Sequence, residues 1–125
     1  MYMNLIEVKD TKYLDTLVDM HIAAYREKFE SHQISLERKD YITSTLGDIH
    51  LRRVFLTLDM SALIVCEDRT DLLIKNSTYH LITRIYVKPN FRHKGVAKLM
   101  VRECQKHLGT LMGYSGKFYI LGDQK

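Results

Sequence analysis

The sequence predicts one α/β (α+β) domain over residues 1–125. Three observations predict it. Apolar runs of strand length alternate with stripes of helical spacing, in the order β-α-α-β-β-β-α-β. The length suits a single hydrophobic core. No repeat, low-complexity tract or composition break divides the chain, and one proline with six glycines argues against a linker-rich or disordered protein.

Leu5-Ile6-Glu7-Val8 reads as a short first strand. From Thr11 to about Phe29, Leu14, Leu17, Val18, His21, Ala24 and Tyr25 recur at helical spacing, and Ser31-His32-Gln33 breaks the helix. A second helix is expected from Ser35 to Leu46, with Ile42, Leu46 and Ile49 inward and Gly47 near its end. Val54–Leu58 and Ala62–Cys66 form two strands joined at Asp59-Met60-Ser61, read as a hairpin. Leu72-Leu73-Ile74 extends or follows that hairpin. His80–Val87 is the next strand. The last helix carries Val96, Leu99, Met100, Cys104 and Leu108 on one face, closed by Gly109. Lys117–Leu121 reads as a final strand.

The most informative stretch is Ile82–Ala97: a strand, the Lys88-Pro89-Asn90 stop, a basic glycine turn, then a helix to about Leu108. From Phe91 to Ala97 there is no Ser, Thr, Asp or Asn to cap the first N–H groups. Arg92, His93, Lys94 and Lys98 lie instead at the positive end of the helix dipole, where cations are disfavoured. A helix start that breaks both rules suits an anion such as a phosphate or pyrophosphate.

Arg92-x-x-Gly95-x-Ala97, following a strand that ends Ile85-Tyr86-Val87, resembles the acetyl-CoA signature of the GNAT-type N-acetyltransferases. The resemblance covers most of the chain, strongly between Leu81 and Leu108 and by element order before that. It implies a mixed, mainly antiparallel sheet flanked by helices, and acetyl-CoA as cosubstrate. It also implies that Ile85, Tyr86 and Val87 bond the pantetheine arm. Arg92, His93, Lys94, Gly95, Val96, Ala97 and Lys98 would then surround the phosphates. Family members usually continue with another helix and two strands beyond the point where this sequence stops, so a C-terminally short version is expected, with a dispensable wall or one supplied by a partner subunit. An exposed Lys117–Leu121 edge would invite pairing with a second copy, a route to a homodimer.

Acetyl transfer to an amine needs positioning, polarisation of the carbonyl and a base. Many family members place a carboxylate on the strand before the signature, but Leu81–Val87 has none. Alternation puts Leu81, Thr83, Ile85 and Val87 on one face and His80, Ile82, Arg84 and Tyr86 on the other. His80 is then the nearest base candidate, Tyr86 an acid candidate, and Glu27 and Glu30 candidates to meet an acceptor amine. Each has an ordinary structural reading beside it, and the sequence assigns the catalytic role to none.

Nineteen Lys+Arg against fifteen Asp+Glu favours anionic ligands but is too weak to imply nucleic acid by itself. The basic face of Arg92, Lys94, Lys98, Arg102 and Lys106 equally describes a solvated helix, which disfavours the nucleic-acid reading. Cys66 and Cys104 sit among apolar neighbours and read as buried free thiols; no metal-ligand spacing occurs. No apolar signal core or membrane-length run is present, so a cytoplasmic location without membrane insertion is expected. Two readings remain. One is an N-acetyltransferase acting on a primary amine of a small molecule or protein. The other is a non-catalytic domain of the same fold that binds CoA or a protein partner.

Overall fold

The computed structural model describes residues 4–28, 37–68, 79–108 and 111–114. Five strands form one sheet in chain order: β1 (Leu5–Val8), β2 (Arg53–Thr57), β3 (Ala62–Asp68), β4 (Tyr79–Val87) and β5 (Leu111–Tyr114). The first four are antiparallel neighbours. β5 runs parallel to β4 and pairs only with its first half, Tyr79–Ile82. The helices are α1 (Leu14–Lys28), α2 (Arg38–Leu51) and α3 (Val96–Leu108).

Alternation along the strands splits the core in two. Phe55, Ala62, Ile64, Cys66 and Ile82 pack against Met100, Val101 and Cys104 of α3. On the other face Val8, Val54, Leu56, Leu63, Val65 and Tyr86 pack with Leu17 and Met20 of α1, and Ile49 of α2 joins them. Phe55, Leu56 and Ile64 are fully buried, each contributing about 2 kcal/mol of apolar burial. Cys66 and Cys104 are buried free thiols that meet between β3 and α3; that contact and burial push the Cys104 thiol well above its ordinary range.

Charge placement helps fix the helices. Asp15 lies in the first turn of α1 and Arg26 and Lys28 in its last, complementing the dipole. Asp40 accepts a 2.9 Å bond from the Glu37 N–H at the start of α2. Arg38 reaches back to Asp19 of α1 at 2.8 Å.

The structure corrects three expectations. α2 runs through Gly47 to Leu51, and its buried stripe is Tyr41, Thr45 and Asp48; Leu46 is exposed and Ile42 and Ile49 are only half-buried. The cause is pairing: Asp48 receives Arg84 at 2.8 Å and Arg52 at 3.3 Å, and Tyr41 stacks edge-on with His21 and Tyr25. β4 does not alternate throughout. Val65 pairs with Arg84 but Cys66 with Ile82, so Thr83 is the extra residue of a bulge and bonds the Val65 carbonyl at 3.2 Å. The bulge returns Ile82 to the α3 face alongside Ile85 and Val87. The third is β5, unanticipated, at Leu111–Tyr114. Phe29, Glu30, the break at Ser31–Gln33, the Leu72–Ile74 run, Gly109 and the Lys117–Leu121 strand lie outside the described residues.

Candidate active site

Beyond Ile82 the described part of β5 no longer covers the β4 edge. Lys88 N–H bonds Ser61 O at 2.8 Å, which marks 61/88 as a hydrogen-bonded pair of the β3–β4 ladder. Antiparallel pairing alternates, so Arg84 and Tyr86 turn their peptide groups toward β3. Ile85 and Val87 turn theirs outward. A cleft of about 960 Å³ opens on this edge, walled by Ile82–Val87, the end of α1, Arg92 and Ala97.

The chain leaves β4 through Lys88 and a single 3₁₀ turn, Pro89–Phe91, where proline presets φ and lacks the N–H a strand would need. The basic turn follows, with positive φ at His93 (63°) and Gly95 (77°). For His93 this is an uncommon conformation; for Gly95 it carries no steric cost. A Cβ built on Gly95 would meet nothing within 4 Å, so the backbone there is open to close approach. The first helical bond of α3 is Leu99 N–H to Gly95 O at 3.0 Å, and the N–H groups of Val96, Ala97 and Lys98 precede it. The first turn holds no acidic residue. This is the geometry of an anion site at a helix start.

Arg92 does something the sequence did not suggest. Its Nε donates to the outward-turned Val87 carbonyl at 2.8 Å, and its two terminal nitrogens donate to Glu27 of α1 at 2.6 and 2.7 Å. The guanidinium also lies over the Tyr86 ring, 5.5 Å from its centroid. Hydrogen bonding from Arg92 holds the Glu27 carboxyl below its ordinary range. Arg92 therefore clamps α1 to the end of β4.

Of the residues expected around the cofactor, Ile85, Tyr86, Val87, Arg92 and Ala97 wall the cleft. His93, Lys94, Gly95 and Lys98 stand exposed at the start of α3, with Val96 half-buried. Glu27 reaches the cleft. His80 does not: it is buried in the first half of β4, paired in register with Asp68, and burial holds its imidazole below the ordinary range.

Sequence reasoning passed over a polar group at the inner end of the cleft. His21, read as part of the α1 core stripe, lines the cavity with its Nδ1 3.3 Å from Thr45 Oγ1. Arg84 lines the same wall, anchored on Asp48. Burial first, then the Arg84 charge, holds the His21 imidazole below its ordinary range, with Asp48 opposing. The one sequence signal was a titratable residue inside an otherwise apolar helical stripe.

Among solved structures, a possible acetyltransferase from Clostridium difficile 630 superposes with a TM-score of 0.70 at 12% identity, over 94% of this chain and 81% of that one. A predicted acetyltransferase from Clostridium acetobutylicum, solved with acetyl-CoA, gives 0.65 at 16%, covering 92% and 81%. The aminoglycoside N-acetyltransferase AAC(6')-Iy, solved with CoA, gives 0.64 at 15%, covering 93% and 78%. At these identities the likeness is one of fold. None of the curated proteins compared matches the sequence. The sequence profile of the acetyltransferase (GNAT) family, however, matches residues 14–123, from the start of α1 through the open β4 edge and the basic turn. The chain is a member of the acetyltransferase (GNAT) family.

Proposed function

We propose that this protein is an acetyl-CoA-dependent N-acetyltransferase acting on a primary amine of a small molecule or protein. The observation that carries the reading is the junction of two features in one place. The outward peptide groups of Ile85 and Val87 lead along the cleft to the uncapped start of α3. An extended amide arm fits the first feature and a pyrophosphate the second. Family membership supports it, as do two structural neighbours solved with CoA or acetyl-CoA.

Ile85 and Val87 would hold the pantetheine arm as an added strand would be held. The N–H groups of Val96, Ala97 and Lys98, with Gly95 allowing close approach, would take the phosphates, and Lys94 and Lys98 would add charge. Bound acetyl-CoA supplies an activated acetyl thioester. Arg92, through Val87 and Glu27, would keep the cleft walls in place rather than act first as a phosphate ligand.

The test incubates the protein with acetyl-CoA and a panel of primary amines: amino acids, diamines, polyamines, an aminoglycoside and a lysine-rich peptide. Free thiol release is followed together with mass spectrometry of the amines. The expected result is thiol release matched by one acetylated amine. Binding of CoA with no thiol released by any amine would favour the non-catalytic binding domain instead.

A further inference from the structure

We infer that His21 is the proton acceptor for the attacking amine and that Thr45 is its positioning residue. The inference rests on the acetyl-transfer reading and names a group for its missing base. It starts from an anomaly in α2. That helix buries Tyr41, Thr45 and Asp48 while its leucines at 46 and 51 stay exposed. Burying polar groups costs stability unless each is satisfied, so such a stripe needs a reason.

Each member of the stripe serves one place. Tyr41 sets the plane of the His21 ring, edge-on at 5.3 Å. Thr45 meets His21 Nδ1 at 3.3 Å. Asp48 holds Arg84, whose charge stands beside the imidazole. Besides their contacts to Tyr25, Arg52 and the sheet, these three buried side chains of α2 thus bear on one imidazole that lines the cleft.

The other polar groups on the cleft wall suit a base less well. Arg84 and Arg92 present guanidinium donors with no acceptor atom, and Lys28, Tyr25 and Tyr86 present N–H or O–H donors. Glu27 is the only carboxylate lining the cleft among the described residues, and Arg92 engages both its oxygens. A carboxylate so paired is a weakened base. Burial and Arg84 favour the neutral form of His21, the state a base requires before the step. This role requires the tautomer in which Nδ1–H donates to Thr45 Oγ1, which leaves the lone pair on Nε2.

The acceptor nitrogen forms a bond to the acetyl carbon as the C–S bond breaks, and one amine proton passes to His21 Nε2. A proton from solvent restores the thiol, and His21 returns its own proton to solvent.

The test compares wild type with His21→Gln, using whichever amine of the panel turns over. The expected result is a loss of kcat of about 10²–10³-fold, with CoA affinity by calorimetry within about twofold of wild type. The acid limb of the kcat/KM profile, lying below the ordinary histidine range because of burial and Arg84, disappears in the variant. Thr45→Val gives a smaller loss of kcat that Thr45→Ser restores. Turnover within about threefold of wild type in His21→Gln, or an acid limb that survives, overturns the assignment. Should His21→Gln fail to fold, nitrogen-15 NMR of the wild-type imidazole decides, since a neutral ring protonated on Nε2 overturns it and one protonated on Nδ1 supports it. A wild type that transfers to no amine at all fails at the acetyl-transfer reading and takes this inference with it.

Discussion

Asp48 joins α2 to the sheet, and removing it should cost far more than removing a surface carboxylate. Its side chain is 8% exposed and receives Arg84 at 2.8 Å and Arg52 at 3.3 Å. Asp48→Ala deletes two charge-assisted bonds and leaves Arg84, itself 28% exposed, beside a hole. Breaking a fully buried pair costs about 3–5 kcal/mol; the partial exposure of Arg84 and Arg52 reduces this to about 2–3 kcal/mol. For a chain of this length that corresponds to a fall in Tm of roughly 8–12 °C. Replacing both partners by apolar residues of similar size, Asp48→Leu with Arg84→Met, removes the buried charge as well as its partner. The double variant should return to within about 1 kcal/mol of wild type. Urea unfolding of wild type, Arg84→Met, Asp48→Leu and the double variant gives the coupling energy, expected near 2 kcal/mol. Singles costing under about 0.5 kcal/mol, or a double equal to their sum, would refute the claim that α2 is positioned by this charge.

Three further outcomes follow from the same geometry. Gly47 sits inside α2 with open space where a Cβ would stand, so Gly47→Ala should stabilise the fold by about 0.5–1 kcal/mol in chemical denaturation. The Arg53 bond holds Glu7 below its ordinary range, so that contribution is present above about pH 4.5 and is lost as pH falls through the depressed value. Arg53→Met should flatten this acid limb in a Tm-against-pH series. His21 and His80 are also depressed by burial, so they add stability above the ordinary histidine range and lose it as pH falls below. His80→Gln should reduce that lower-pH loss without changing the response to acetyl-CoA, since His80 stands away from the cleft.

Most of the sheet and the α3 start were legible because local rules and global fold agree there. β2, β3 and β4 carry β-branched and aromatic runs, Pro89 must end β4, and the absence of a capping residue at the start of α3 beside Arg92–Lys94 is visible in the sequence itself. What escaped was decided by long-range contact. Nothing near Asp48 in the sequence announces Arg84, so the buried face of α2 was assigned to its aliphatics. The bulge at Thr83 depends on the β3 partner. β5 is only four residues long, has Gly113 within it, and gains its identity from pairing with β4. His21 looked like core because it is core on one side; its second side, toward the cleft, exists only once β4 is in place.

Binding of acetyl-CoA by the open β4 edge and the α3 start is decided by a thermal-shift titration. Gly95→Asp is the cleaner control, because Arg92→Glu would also set a second carboxylate against Glu27. Acetyl-CoA and CoA at about 100 times Kd should raise the wild-type Tm by about 10 °C, more than ATP does. Gly95→Asp should melt within a few degrees of wild type yet lose that response, because its carboxylate stands where the phosphates would approach. A wild type unmoved by either CoA species, or a Gly95→Asp variant that keeps the full shift, would exclude acetyl-CoA binding at this edge.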